Sequence, residues 1–492
     1  MSGARALPLL LCFTLPLNAR TLPDSARVRS EKPLVRTLRA DSTARRDTLA
    51  PVDTLGRMST PSLVGTLDRA MDTLDVRTSG DIHWIDHRYL GEILQTFPGV
   101  TLRDQVSEGQ YTQAALEGVD WRGIALSANG RPLTDPALGV FNLYNFTPEY
   151  ADRIEVVSGP RAFLYGLNAT GGAVNLVTKN YNSNKPFTKF NYEEGPYDYS
   201  TVDGTFSQNV SRRTNITLGF QHQVTDGRFA GEAHDAWNSR EKIRFSLTHD
   251  INIILDHYLT AGETGLPGGV IPVEGLPFDV VQAVPMDTAY QKYTSNDLDL
   301  SLVGTLLGDT AEVSNLTFYY SHAKREFREN EDPYDVVPPR VSSDHVSSWM
   351  GVQATQNIVR GAERFDAGAS VEMRQVEGSP NIGRRRNTIG ALWAKEEVDI
   401  GAEAGAALFG RLDRYLGKTY GAFGADIRLR LPGGLALSGG GSTSYRVPTY
   451  GELYWAGPSV VRNGPLTAEH HTLVEAGASW ESPEHGSATL RV

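Results

Sequence analysis

The spacing of apolar residues changes character near Asn184, and the two regimes predict two kinds of structure. Upstream, Leu90, Ile93, Leu94 and Phe97 recur at helical spacing, with Asp86 as the expected N-cap and Pro98-Gly99 as the stop. Ile124–Ala128 alternates like a strand and turns at Asn129-Gly130 into Arg131. This is a hairpin signal, because asparagine and glycine accept the positive φ that tight hairpin turns demand. A second strand follows at Arg153–Val157, then a Gly159-Pro160 turn, Leu164-Tyr165-Gly166, and Gly171-Gly172 leading into a strand that ends at Lys179. Together these pieces, 81–183, predict a small α+β domain. Ahead of it, no Phe, Tyr or Trp occurs between Phe13 and Trp84. A stretch so poor in large apolar side chains cannot offset the entropy of ordering it, so 20–80 is expected to be a flexible tail.

Downstream the period is two. Ile243, Phe245 and Leu247 share one face of a strand while Lys242, Arg244 and Ser246 share the other. Asp297–Leu302 repeats this, as do Ile216, Leu218 and Phe220, and Leu316, Phe318 and Tyr320. Asp426, Arg428 and Arg430 likewise oppose three aliphatic residues. Strands are predicted at 187–193, 201–209, 213–225, 240–248, 251–261, 296–307, 311–327, 345–360, 364–376, 386–398, 402–412, 418–431, 434–446 and 471–481. The connections after odd-numbered strands read as long, notably 262–295, 328–344 and 447–470, and those after even-numbered strands as tight, as at Pro432-Gly433. Long and short links in alternation are the mark of a membrane-spanning barrel, whose apolar face meets lipid and whose polar face lines the lumen. Tyr319, Trp349, Trp393, Tyr415 and Tyr445 are then expected in the interfacial aromatic girdles.

Composition narrows the options. The net charge of −11 argues against a nucleic-acid-binding surface. The longest apolar stretch, Ala6–Leu17, is interrupted by Pro8 and Pro16 and falls short of the ~20 residues a membrane helix needs. Strands that alternate average out as polar, so a β-barrel stays open. Residues 1–19 read as a signal peptide: Arg5 at the charged end, Leu7–Leu17 as the apolar core, and Asn18-Ala19 at the cut. The sole cysteine, Cys12, lies inside it, and Leu11 before it argues against lipidation. Removing the peptide leaves no thiol for a disulfide, a metal site or a nucleophile.

Four segments in series, EILQTFPGV (92–100), ANGRPLTDP (128–136), DRIEVVSGPRAFLYG (152–166) and ATGGAVNLVTK (169–179), resemble the plug domain of TonB-dependent outer-membrane receptors. The positions carrying the likeness are Pro98, Gly99, Gly130, Glu155, Gly159, Pro160, Gly166, Gly171 and Gly172. Tyr445–Tyr454, Leu466–Glu469 and Val474–Gly477 are similar to a motif late in these receptors' barrels, so the likeness extends over 72–492. It implies a transmembrane antiparallel β-barrel with a small α+β plug in its lumen, placed in the outer membrane. The family expectation is about 22 strands, of which about 14–15 fall in 184–492. The implied function is energised import of a scarce nutrient: a siderophore-bound metal, a vitamin or an oligosaccharide. Its implied partners are a TonB-type energising protein in the periplasm, outer-membrane lipid and the small nutrient itself. The alternatives are a passive porin-like channel or a surface receptor without transport.

Within the tail, Asp72, Thr73, Leu74, Asp75 and Val76 resemble the TonB box that contacts the energising protein, although Asp-Thr-Leu also occurs at 47–49 and 53–55. Glu452 and Glu475 match glutamates that the resemblance points into the lumen, where each needs a partner; Arg153 and Arg161 are the candidates. Two positions depart from the family pattern, Glu117 and Ser158, and put the ion pairs usual there in doubt.

No catalytic constellation, cofactor or metal site is expected. Gly166–Gly172 lacks the GK[ST] ending of a phosphate loop, and no G-x-S-x-G pentapeptide stands between a strand and a helix. His83 and His87 are four apart but have no third ligand nearby. Glu329, Glu331 and Asp332 read as solvated loop residues. Strand parity makes 487–492 the start of an ascending fifteenth strand. Closed bacterial barrels have even strand numbers, so the expectation is a C-terminally incomplete barrel, open between the strand near Phe187 and the last strand.

Overall fold

A small sheet with its own apolar core is enclosed by a long antiparallel sheet whose polar face points at it. The computed structural model describes residues 74–105, 107–268, 271–272, 282–283, 289–306, 312–329, 341–379, 381–456, 466–482 and 486–492. All of these belong to one of the chain's two units, 53–492. The expected signal peptide, Cys12, most of the tail with Asp72 and Thr73, both further Asp-Thr-Leu copies, Glu331 and Asp332 lie outside the described residues.

The inner domain runs β1 (Leu74–Thr78), α1 (Ser79–Trp84), α2 (Leu90–Leu94), β2 (Val100–Arg103), β3 (Gln113–Leu116), β4 (Ile124–Ala128), β5 (Arg131–Pro132), β6 (Ala151–Ser158) and β7 (Gly172–Thr178). Its main sheet has the order β1-β6-β7-β4-β5, with β4 and β7 parallel and the other pairs antiparallel. Leu90, Ile93, Leu94 and Phe97 pack against Ile154, Val156 and Leu176 in one cluster. Each such side chain contributes about 1.5–3 kcal/mol when fully buried. Asn129 (φ 48°) and Gly130 (φ 83°) form the expected hairpin between β4 and β5.

Two sequence expectations fail here. Asp86 does not cap α2, whose N-cap is Tyr89 without a side-chain hydrogen bond. The strong capping box belongs to α1, where Thr78 and Asp81 satisfy each other's backbone groups. The predicted tail is also too long, because Leu74–Thr78 is a strand of the domain's sheet, paired in register with Val157–Arg153. Low apolar content misled the boundary: an edge strand holds its place through backbone hydrogen bonds, to which aromatic counting is blind.

The enclosing sheet has 15 strands in sequence order. They are β8 (Phe187–Glu194), β9 (Ser200–Asn209), β10 (Thr214–Thr225), β11 (His234–Ser246), β12 (Ile251–Gly265), β15 (Tyr290–Gly304), β16 (Ser314–Glu329), β17 (Val341–Arg360), β18 (Glu363–Ser379), β19 (Gly383–Ile400), β20 (Ala404–Tyr415), β21 (Lys418–Leu431), β22 (Leu435–Arg446), β23 (Glu469–Ser482) and β24 (Gly486–Arg491). A minor hairpin of β13 (Ile271–Pro272) and β14 (Gln282–Ala283) sits in the connection before β15, and α3 (Tyr450–Tyr454) in the one before β23. β8 and β24 are the sheet's edges, and no ladder joins them among the described residues.

The faces of this sheet invert the rule for soluble proteins. On β11, Asn238, Arg240, Lys242 and Arg244 are buried while Trp237, Ile243 and Phe245 are exposed. On β15, Asp297, Asp299 and Ser301 are buried while Leu298 and Leu300 are exposed. Phe318, Leu408, Leu412, Phe423 and Ile427 extend the apolar outer surface. Such a band is stable only against lipid, where a Lys or Arg at mid-depth would cost about 2–4 kcal/mol. No helix among the described residues is long and apolar enough to cross a membrane.

The predicted alternation of connection lengths holds only in part. The links 266–289 and 447–468 are long, but 380–382 and 416–417 are as tight as those at the opposite end. The strands themselves take up the difference, β17 reaching 20 residues. Nor do four of the five chosen aromatics form girdles. Tyr319, Trp349 and Tyr415 are buried on the inner face, where they bond Glu372, Pro132 and Pro448. Trp393 packs inward as well, against Phe163 and Phe409. Period two assigns a face only once the strand's register is known, and an aromatic at a strand end fits either side.

Candidate functional site between the inner domain and the sheet

The inner domain is fixed to the sheet by buried charges. Arg131, on the β4–β5 hairpin, reaches Asp299 at 2.7 Å and Asp297 at 3.0 Å on β15, and donates to Ser321 on β16 at 2.8 Å. Its side chain is 4% exposed. On β11, Lys242 pairs with Asp256 at 3.1 Å and donates to the carbonyl oxygen of Lys179 at 2.9 Å. Tyr150 donates to the same Asp256. Arg240 holds Asp203 by two bonds of 2.8 and 3.0 Å, and the hydroxyl of Thr147 also donates to Asp203. Glu149 accepts from Lys189 at 2.5 Å and from Asn191 at 2.9 Å on β8. Burial pushes the Glu149 carboxyl up, but the Lys189 hydrogen bond and the charges of Lys189 and Lys179 outweigh it and hold the group below its usual value.

The arginines and glutamates singled out from the sequence reach the interface with other partners. Arg161 does bridge to the sheet, but to Asp426 on β21 at 2.5 Å and Glu397 on β19 at 3.1 Å. Arg153 turns back within its own domain to Glu155 and Asp152. Glu452 caps α3 through Thr449 and pairs with Arg446 at 3.0 Å and Arg122 at 3.6 Å. Glu475 faces Gly159, where a Cβ would lie 2.8 Å from its Oε2. With φ of 82° and a carboxylate overhead, only glycine fits there without strain. Chain reach explains the mispairing: an arginine side chain can meet carboxylates on more than one strand, as Arg161 does on β19 and β21, so sequence position cannot choose among neighbouring carboxylates. At the two departures, Arg491 of β24 pairs with Glu117 at 3.2 Å and bonds the hydroxyl of Ser158.

The other signature positions are structural. Pro98-Gly99 turns α2 into β2, and Gly99 accepts the Glu117 amide at 2.8 Å. Glu155 is 1% exposed and receives Asn175 at 2.9 Å. Gly159-Pro160 ends β6, Gly166 ends the short turn Ala162–Tyr165, and Gly171-Gly172 opens β7. His83 stacks edge-on against Trp84, whereas His87 bonds the Ile85 carbonyl at 2.7 Å, so the two do not face a common point. Among the described residues no three His, Cys, Asp or Glu side chains gather as a metal site would require.

Beside the Arg161 anchor lies open space that sequence reasoning missed. A cavity of about 570 Å³ separates β4 and the 164–168 turn from the inner faces of β16–β20. At one end it is closed by 447–449, part of a strap that continues into α3. Asn168 grips this strap twice, accepting the Val447 amide at 2.7 Å and donating to the Val447 carbonyl at 3.1 Å. Gly451 donates to the Ala137 carbonyl at 2.7 Å, and Tyr450 is buried against Ala137, Val376 and Ile382.

Comparison with known proteins agrees with this arrangement. Residues 69–173 match the family described as TonB-dependent Receptor Plug Domain. The whole fold is similar to that of the copper transporter OprC, at 15% identity and a TM-score of 0.68, covering 86% of this chain and 71% of that one. It is similar as well to the siderophore receptor PirA from Acinetobacter baumannii, at 15% identity and 0.68, over 85% and 70% of the two chains. A third likeness is to the ferric citrate transporter FecA, at 14% identity and 0.63, over 83% and 68%.

Proposed function

We infer that this chain, a TonB-dependent receptor of the outer membrane with a plug domain set in its β-barrel sheet, imports a scarce nutrient by energised transport. The family is one of transporters, not enzymes. The observation that carries the reading is the buried set of plug-to-wall ion pairs, Arg131 with Asp297 and Asp299 above all. A passive channel has no use for a domain anchored across its lumen. Opening such a lumen requires work, and work needs an energy source in the periplasm.

The substrate class stays within a siderophore-bound metal, a vitamin or an oligosaccharide. The first is favoured by the structural likeness to the siderophore receptor PirA and the ferric citrate transporter FecA. Growth of a deletion strain on single iron, vitamin or glycan sources tests it. Restoration by the intact gene, and only when the energising protein is present, is the expected result. Equal uptake without the energising protein would sink the proposal in favour of a porin-like channel.

Asp72–Val76 is proposed as the contact with the energising protein. Because Leu74–Val76 pairs with β6, the segment must leave the plug sheet to be pulled. Thr78 and Arg153 are register partners, so a disulfide between Thr78→Cys and Arg153→Cys should hold β1 in place. Uptake should stop under oxidising conditions and return on reduction, with surface binding unchanged. Transport unaffected by the cross-link would refute the release of β1.

A further inference from the structure

The plug does not meet all sides of the barrel wall equally. On β9–β15 the inward residues are sealed: Ser207, Thr217, Arg240, Lys242, Asp256, Asp299 and Ser301 are all buried. On β17 and β18 the inward residues Gln353, Thr355, Ser370 and Arg374 are half-buried and line the cavity. These strands stand in the middle of the sheet, away from both of its edges. The open space is therefore a property of plug-to-wall docking and owes nothing to the edges at β8 and β24.

The cavity is also long. Its wall on β18 runs from Arg364 to Arg374. At ~3.3 Å per residue that is about 33 Å of strand, or about 25 Å of depth at the usual tilt of ~40°. The apolar band of such barrels is about as tall. We propose that this cavity is the substrate route: the plug stays hinged on the β9–β15 wall, and solutes pass between the 164–168 turn and β17–β20 once the strap at 447–449 lifts and the contacts of Arg161, Phe163 and Leu164 with β19–β21 release. The inference rests on the import reading above and assigns it a side of the barrel.

The wall chemistry indicates what passes. On the β18–β20 wall the lining charges are already neutralised nearby, and Asp135 on the plug side is held by hydrogen bonds from the Ala137 amide and the Ser347 hydroxyl. Arg364 pairs with Glu397 at 3.3 Å and Asp399 at 3.1 Å, Lys395 with Asp366 at 2.8 Å, and Arg411 with Asp413 at 2.8 Å. Arg374 pairs with Glu372, which also accepts from Tyr319 at 2.6 Å. Between these pairs stand amides and hydroxyls, among them Asn315, Gln353, Thr355 and Ser370. Such a surface suits a hydrogen-bonding solute without strong net charge, because a highly charged one would have to break pairs to find a counter-ion.

Thiol chemistry tests this with little background, since Cys12 is the only cysteine in the chain and lies in the predicted signal peptide. Single-cysteine variants Ser370→Cys and Thr355→Cys probe the route; Ser301→Cys and Thr217→Cys probe the sealed side. Each full-length variant is exposed in isolated outer membranes to cationic and anionic methanethiosulfonate reagents, after its unchanged melting is verified. The route positions should react at least about tenfold faster than the sealed ones. Single-sign clefts change association rates by about 10–10³-fold, so the two reagents should differ by less than about tenfold at Ser370→Cys. Route cysteines as slow as the sealed pair would overturn the assignment of the side. A charge preference above about a hundredfold would overturn the solute class. If all four positions react fast, the plug is not docked and the import reading itself fails, which separates the two conclusions.

Discussion

Replacing Arg131 by methionine is the sharpest test of how the plug is held. The guanidinium is 4% exposed and lies 2.7–3.0 Å from two carboxylates, each 10% exposed. Burying the three groups costs several kcal/mol per ion, which their mutual attraction roughly repays. Removing the cation alone leaves two carboxylates facing each other without a counter-charge from the plug, Asp297 keeping only the hydroxyls of Ser295 and Ser321. Loss of one partner of a buried pair typically costs about 3–5 kcal/mol. At 1.4 kcal/mol per decade, the undocked population should rise by two to three orders of magnitude. Arg122→Met is the control: its side chain is 42% exposed and pairs with the 49% exposed Asp120 at 2.5 Å and with Glu452 at 3.6 Å, so at most about 1 kcal/mol is expected. The assay is influx of a hydrophilic dye too large for general porins, with melting in detergent recorded in parallel. Arg131→Met should leak and melt lower, Arg122→Met should do neither, and adding Asp297→Asn and Asp299→Asn to Arg131→Met should recover most of the loss. If Arg131→Met and Arg122→Met behave alike, the buried cluster is not the anchor.

Glu149 gives a pH dependence with a definite sign. Its carboxyl is held below the ordinary value of 4.5, so it stabilises docking fully above that value and loses the contribution as pH falls through its lower folded value. Dye influx should therefore rise in acid below about pH 4.5 and become less acid-sensitive in Glu149→Gln. Gly159→Ala combines a φ of 82° with a Cβ 2.8 Å from the Glu475 carboxylate, and should lower the melting point by the equivalent of about 1–2 kcal/mol or more. Asn168→Ala deletes both bonds to Val447, worth about 1–3 kcal/mol together. Faster proteolysis within 447–456 in Asn168→Ala, with the melting point little changed, would show that the strap alone has loosened.

The barrel was readable from sequence because one rule governs it everywhere: an outer residue must tolerate lipid, and the next must face polar groups. The predicted strand at 418–431 matches β21 at both ends, and predicted 251–261 is β12 without its last turn of ladder. Lys242 and Arg244 were placed correctly on the inner face by their apolar neighbours alone. What sequence did not reveal was pairing. Arg161 takes Asp426 over Glu475 because the plug's rotation within the barrel sets which carboxylate lies beneath the β6 turn, and nothing local encodes that rotation. The cavity was invisible for a similar reason. It is a difference between two surfaces, each of which reads alone as an ordinary polar face.

The division between apolar and polar contacts also bears on how the plug can move. The plug keeps its aliphatic core to itself: Leu90, Ile93, Leu94, Phe97, Ile154 and Leu176 gather within the domain, and of the wall only Tyr258 packs against that cluster. Toward β8–β15 the contacts between plug and wall are instead ion pairs and hydrogen bonds, at Arg131, Tyr150 and Glu149, whereas toward β18–β21 the Arg161 pairs are joined by apolar contacts of Phe163 and Leu164 with Ala407, Phe409 and Ala422, and of Ala137 with Val376. An apolar interface would lose about 25 cal/mol for each Å² newly wetted and would resist separation over its whole area. A polar one trades protein partners for water, at a net of about 0.5–1.5 kcal/mol for an ordinary hydrogen bond. Toward β8–β15 the penalty is then concentrated in a few buried charges such as Arg131, whereas separation from β19–β21 must break the Arg161 pairs and also wet the Phe163–Leu164 cluster. Under the proposed import mechanism, a pull on β1 then has an outcome cheaper than unfolding the domain, because the plug can shift against the wall while its aliphatic core stays intact.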